Sequence, residues 1–405
     1  VDPLDFPLSK TPEESLATIR TKPGLRVELI AAEPLIRDPV AFDWDIQGRL
    51  YVVEMGGYPS GVPVESKPTH NVTDGRVRLL EDTNGDGRYD KATTFLDGLN
   101  FPTGIQCWRD GVIVTAAPEI FFAADSDGDN QADVRRTLFR GFVEGNQQHR
   151  VNGLRWGLDG RLHVANGDSG GTITAVNTVS GEGVVASLKP VEIRGRDIAI
   201  DPDRGLLVPL SGQSQFGRAR DDFGNWFGCN NSRPMWHYVL EDADLRRNPH
   251  LAVRDTRAEV PVVPGAAPVF PLSRTLGRFN DHDRANRFTS ACSTMIYRDH
   301  ALGEEFAGDA FTCEPVHNLV SRLVLERDGV TFRGRRATSE NASEFLASSD
   351  NWFRPVMVRT GPDGGLWIAD MYRFVIEHPE WIPKEWQERL DLRAGQNLGR
   401  IYRVV

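Results

Sequence analysis

The sequence predicts an all-β chain: a six-bladed β-propeller with short peripheral helices, forming a single domain over residues 1–405. Three observations predict it. An apolar strand, an Asp-Gly or Gly-containing turn and a second apolar strand recur along the chain. The turn glycines Gly48, Gly111, Gly160 and Gly205 stand 63, 49 and 45 residues apart, the length of a four-stranded blade. Residues 26–30 and 400–404 both read as strands, and sharing one blade between the two ends closes the ring and removes exposed edges.

Thr11-Pro12-Glu13-Glu14 is a capping box with proline at the first helical position, so a short helix precedes the ring. The hairpins follow as Asp45-Ile-Gln-Gly-Arg-Leu-Tyr-Val52, Trp108-Arg-Asp-Gly-Val-Ile-Val114, Gly157-Leu-Asp-Gly-Arg-Leu-His-Val164 and Asp201-Pro-Asp-Arg-Gly-Leu-Leu-Val208. Asp and Gly tolerate the left-handed backbone of a tight turn. A degenerate fifth copy runs from Ser293-Thr-Met-Ile-Tyr297 to Gly308-Asp-Ala-Phe-Thr312, and Gly361-Pro-Asp-Gly-Gly-Leu-Trp-Ile368 is the sixth. Residues 241–289 are rich in Pro, Arg and Asp and lack alternation, so they read as a long insertion; strands hidden there would make seven blades. Residues 383–391 form a second short helix candidate.

Composition narrows the function. The net charge of −10 argues against nucleic acid or an anionic membrane as partner. No apolar run reaches the roughly 18 to 20 residues of a membrane span. The four cysteines, Cys107, Cys229, Cys292 and Cys313, form no CxxC or CxxCH, so no zinc knuckle or c-type haem motif is present. Cys292 and Cys313 flank the fifth hairpin, as a disulfide or as two buried thiols. Calcium is expected on two loops. Asp82, Asn84, Asp86, Arg88 and Asp90 place oxygen donors at alternate positions, and Asp125, Asp127, Asp129, Gln131 and Asp133 repeat the spacing 43 residues later. Calcium takes six to eight hard oxygens, and side chains at loop positions 1, 3, 5 and 9 with the carbonyl at 7 (Arg88, Gln131) supply most of them. Both loops sit between apolar strands, so each reads as a hairpin loop with a structural ion.

Propeller sites gather where inner strands begin or end around the channel. There stand His149 with Asn152, Asp168 after the third hairpin, Ser211 to Gln215 after the fourth, and Arg354, Asp370 and Arg373 around the sixth. A histidine among Asp, Gln and Arg suits proton abstraction from an alcohol or water. A histidine hydrogen-bonded at a blade junction is the plainer alternative.

His149 with Asn152-Gly153-Leu154, Gly157-Leu-Asp-Gly160 and Gly167-Asp168-Ser-Gly170 resembles the soluble quinoprotein glucose/sorbosone dehydrogenase family. The resemblance implies a six-bladed propeller, pyrroloquinoline quinone (PQQ) with calcium, and His149 as the base that takes the substrate hydroxyl proton. It places Gly212 and Gln213 at carbonyls holding a channel calcium, and Arg194, Arg196 and Arg354 near the quinone carboxylates. Where that family carries a lysine in the fifth blade, this chain reads Cys313-Glu314-Pro-Val-His317-Asn318. Gly48-Arg-Leu-Tyr-Val-Val-Glu-Met55, Trp352-Phe-Arg-Pro355, Asp370-Met-Tyr-Arg373, Ile376-Glu-His-Pro379 and Gly399-Arg-Ile-Tyr-Arg403 resemble a membrane-bound dehydrogenase domain family of planctomycetes and verrucomicrobia. Together these imply a periplasmic or secreted dehydrogenase for a sugar or polyol, passing electrons to a cytochrome c. The alternatives are a sugar or lactone hydrolase or lyase without a redox cofactor, and a non-catalytic scaffold.

Overall fold

Six antiparallel sheets surround a central channel in the computed structural model, which describes residues 7–59, 73–182, 184–248, 250–274 and 285–405. Each blade opens on an inner strand: Pro39–Trp44, Gly104–Trp108, Asn152–Trp156, Arg218–Arg220, Cys292–Ile296 and Pro355–Thr360. The second strands are the most enclosed, because neighbouring blades cover both of their faces. Leu50–Glu54, Ala310–Glu314 and Leu366–Asp370 are buried at every position. Such strands read as continuous apolar runs rather than as alternation.

The core is a chain of blade-to-blade interfaces. One cluster joins Met357 and Trp367 of blade six to Val52 of blade one and Val112 of blade two. Another joins blades two and three through Ile113, Phe139, Leu162 and Ile198. Where inner strands of blades three and four converge, Gly153 has φ +66, and a Cβ there would lie 2.8 Å from the Gly217 Cα. Only glycine serves at that position.

The ring closes as expected. Blade six combines Pro355–Thr360, Leu366–Asp370 and Arg400–Val404 with Val27–Ala32 from the other end of the chain, Val27 standing opposite Val404. Ile19–Arg20 lies on the outer edge of blade five, opposite Ser348 and Ala347. The capping box at Thr11 forms with both of its hydrogen bonds.

Two expectations need correction. The turn at Gly205 joins Ile198–Asp201 to Leu206–Pro209, the outer half of blade three, not the inner hairpin of blade four. That inner hairpin is Arg218–Arg220 with Trp226–Asn230, turned on Asp221, whose carboxylate accepts from the Phe223 and Asn225 N–H groups. The total of six blades holds by this substitution. Nor is 241–289 wholly outside the ring: Arg257–Glu259 is the outer strand of blade four, opposite Trp236–Tyr238. Residues 275–284 of that stretch lie outside the described residues.

Candidate active site

Where the inner strands begin, a cavity of about 450 Å³ opens, lined among others by Val40, Met55, His149, Gln215, Ser290 and Glu377. That size suits a small molecule. His149 ends a short 3-10 turn, Gln147–His149, ahead of blade three's inner strand. Gly167 allows the turn to be clamped: its φ is +78, and a Cβ there would lie 2.0 Å from the Arg150 carbonyl oxygen. The next loop residue but one, Ser169, donates from its N–H (3.2 Å) and its hydroxyl (2.6 Å) to the His149 carbonyl.

The His149 ring has a polar neighbour at each nitrogen. Nδ1 lies 3.5 Å from the Asp168 carboxylate. Gln213 donates to the same carboxylate at 2.7 Å. On the other side, Gln215 Nε2 stands 3.1 Å from His149 Nε2. The orientation of the Gln215 amide is fixed, since its oxygen accepts from the Asn231 N–H at 2.8 Å. Its NH2 group therefore faces the ring, which makes Nε2 the lone-pair nitrogen and puts the proton on Nδ1, toward Asp168. Asn152 holds the two halves together, donating to the Arg150 and Gln215 carbonyls and accepting from Gly217 N–H, each at 2.8 Å.

A second wall comes from residues 376–380, far away in sequence. Gln148 donates to the Ile376 carbonyl (2.9 Å), Gln147 accepts from His378 Nε2 (3.0 Å), and Asn146 donates to Glu380 (2.6 Å). Burial holds His378 below the ordinary histidine value. Glu377 faces the same cavity with no hydrogen bond or ion pair to a described residue. Trp381 lines the cavity at its rim and stays 56% exposed. The Ile376-Glu-His-Pro379 run was visible as a motif, but its contact with His149 was not. Behind the site, Asp197 pairs with Arg218 at 2.7 Å, both fully buried, and accepts from Asn166 and Ser214 N–H groups, which seats the segment carrying Gln215.

The residues expected to hold the quinone do not form a site for it. Its carboxylates need cations, and among the described lining residues there is no Arg or Lys. Arg354 is buried with its guanidinium occupied by the carbonyls of Arg373, Pro315, Val316 and Phe374. Arg194 is exposed, and Arg196 pairs with Asp242 at 3.6 Å, neither of them lining the cavity. The Gly212 carbonyl accepts from Asp197 N–H at 2.6 Å rather than facing a channel ion. Gln213 does reach the site, through Asp168. At the lysine's place, Glu314 is saturated by His317 Nδ1, Ser290 Oγ and the Ser290 N–H, each at 2.8 Å.

Both acidic loops join outer strands, Gly75–Glu81 to Lys91–Leu99 and Glu119–Ala124 to Val134–Phe142. They fold alike. Asp82 accepts from Gly85 and Gly87 N–H groups, and Asp125 from Gly128 and Asn130 N–H groups. Asp125, Asp127 and Asp129 bring carboxylate oxygens within 4.8 Å of one another; among the described residues only this group does so. Asp90 and Asp133 instead accept from Thr83 and Ser126. Cys292 and Cys313 are register partners across blade five, both as free thiols.

A family model described as "Domain of unknown function (DUF7133)" matches residues 11–405. The chain belongs to the DUF7133 family. A search of curated proteins finds no sequence match to this DUF7133 domain. Among solved structures it is similar to a proposed oxidoreductase (glucose dehydrogenase) of Thermus thermophilus, with 17% identity, 94% of this chain and 100% of that one covered, and a TM-score of 0.49. It is also similar to the holo PQQ domain of a pyranose dehydrogenase from Coprinopsis cinerea (12% identity, 95% and 96% covered, TM-score 0.49). The PQQ-bound aldose sugar dehydrogenase of Streptomyces coelicolor matches at 14% identity, with 95% and 100% covered and a TM-score of 0.46. Likeness this distant bears on neither site nor activity; the propeller rests on the six sheets themselves.

Proposed function

We propose that this DUF7133 domain is an enzyme that removes a proton from a hydroxyl group of an uncharged sugar or polyol, with His149 as the general base. The arrangement around His149 carries this reading: one nitrogen faces a carboxylate at 3.5 Å, and the lone-pair nitrogen lies beside a small-molecule cavity. Asp168 stabilises the imidazolium that forms, and Gln213 keeps Asp168 in place. The substrate hydroxyl takes the position on Nε2 that the Gln215 amide fills. Gln148, Asn231, Ser232 and Glu377 supply donors and acceptors for further hydroxyls, and Trp381 offers an apolar face at the rim.

The quinoprotein resemblance favours oxidation of that alcohol, with export and a cytochrome c acceptor as its corollaries. The lining without described cations favours a second reading, redox-neutral lyase or hydrolase chemistry from the same base. A sugar and lactone panel separates the two. Protein supplied with PQQ, calcium and an artificial dye should reduce the dye under the first reading. Product by NMR without any acceptor supports the second. Under either, His149→Ala lowers turnover by about 10²- to 10⁴-fold. A panel with no turnover under both conditions contradicts the proposal.

A further inference from the structure

Beyond the site, the channel narrows and its chemistry changes sign. A constriction of about 30 Å³, lined by residues that include Gly104, Gly153, Gly217 and Arg155, leads away from the cavity. Such a space holds one water-sized species. Further along the inner strands stand Asp43 of blade one, Gln106 of blade two, Arg155 of blade three and Arg359 of blade six. Asp43 is the carboxylate of this group, and it is saturated. One oxygen pairs with Arg359 at 2.8 Å; the other accepts from the Gln106 amide and from the Cys107 N–H. Arg155 has no carboxylate within ion-pair distance among the described residues. Its hydrogen bond is to the Leu154 carbonyl, at 3.1 Å, through one of three guanidinium nitrogens. Two partly buried guanidinium charges thus face one buried carboxylate.

We propose that the channel binds a small monoanion, of halide size, on the Arg155 guanidinium. The ion supplies the missing negative charge, and its size is set by the constriction beside it. Burial and the nearby Arg359 charge push the Arg155 proton affinity down, to a pKa of about 9, which is the penalty that an anion relieves. This inference does not depend on the reaction assigned to His149, because it concerns the other end of the channel.

Thermal unfolding in sodium chloride or bromide, against sodium gluconate at equal ionic strength, tests it. The halides should raise the midpoint by several degrees with saturation, and Arg155→Met should remove the difference. A crystal soaked in bromide should show an anomalous peak beside Arg155. Equal midpoints in halide and gluconate, or an equal halide effect in Arg155→Met, overturn the proposal. So does bromide bound elsewhere with none at Arg155, a result that stands even if the variant does not fold.

Discussion

Gln215 decides what His149 can do. Because the Asn231 N–H fixes its amide, it donates to the ring and keeps Nε2 unprotonated. Gln215→Glu reverses that contact from donor to acceptor, and a carboxylate there favours the charged imidazole. Turnover is therefore predicted to fall about tenfold in Gln215→Glu, and steady-state kinetics beside Gln215→Ala checks it. Asp168→Asn keeps the shape but loses the charge opposite Nδ1, so kcat should fall about 10²-fold with little change in binding. Elsewhere, burial pushes the Asp370 carboxyl up to about 7. The unfolded value is near 4, so the folded state binds the proton more tightly. The resulting stability is present in acid and is lost as pH rises through about 7. Asp370→Asn cannot ionise and still accepts from the Arg354 and Tyr372 N–H groups. Its stability relative to wild type should therefore improve from pH 5 to pH 8 in chemical denaturation; an unchanging difference contradicts this.

At the scale of elements, the turns carried most of the legible information. Asp-Gly chemistry is local, so the hairpins at Gly48, Gly111, Gly160 and Gly364 could be placed without knowing the fold. The same locality caused the error at Gly205, because an outer hairpin needs the same turn as an inner one. His149 and Asp168 could be picked out because they border a recognisable hairpin. The wall at 376–380 could not be tied to them, since its bonds cross 228 to 234 residues of chain. Arg354 departs from expectation for a related reason: sequence shows a cation at a strand start, but not that four carbonyls surround it. The acidic loops are a separate prediction. We expect calcium to raise the unfolding temperature and chelator to lower it; at a hundredfold excess over Kd one ion contributes about 2.7 kcal/mol. Asp127→Ala with Asp129→Ala should cut the calcium response, and elemental analysis showing no bound metal contradicts it.

For the whole molecule, closure and channel are the two organising features. Arg400–Val404 lies between Leu366–Asp370 and Val27–Ala32, so removing the first 32 residues exposes its full edge. Such a deletion is predicted to aggregate while wild type stays dispersed, as light scattering would show. The channel places neutral amides, hydroxyls and Glu377 at the wide end and Arg155 at the constriction. That division suits uncharged polyols at the wide end, and the account stands on His149 acting there. The most direct measurement is turnover of the sugar and lactone panel by wild type and His149→Ala side by side, with ligand binding by calorimetry. The account predicts a substrate that both proteins bind and only wild type converts. A substrate converted equally by both would contradict it.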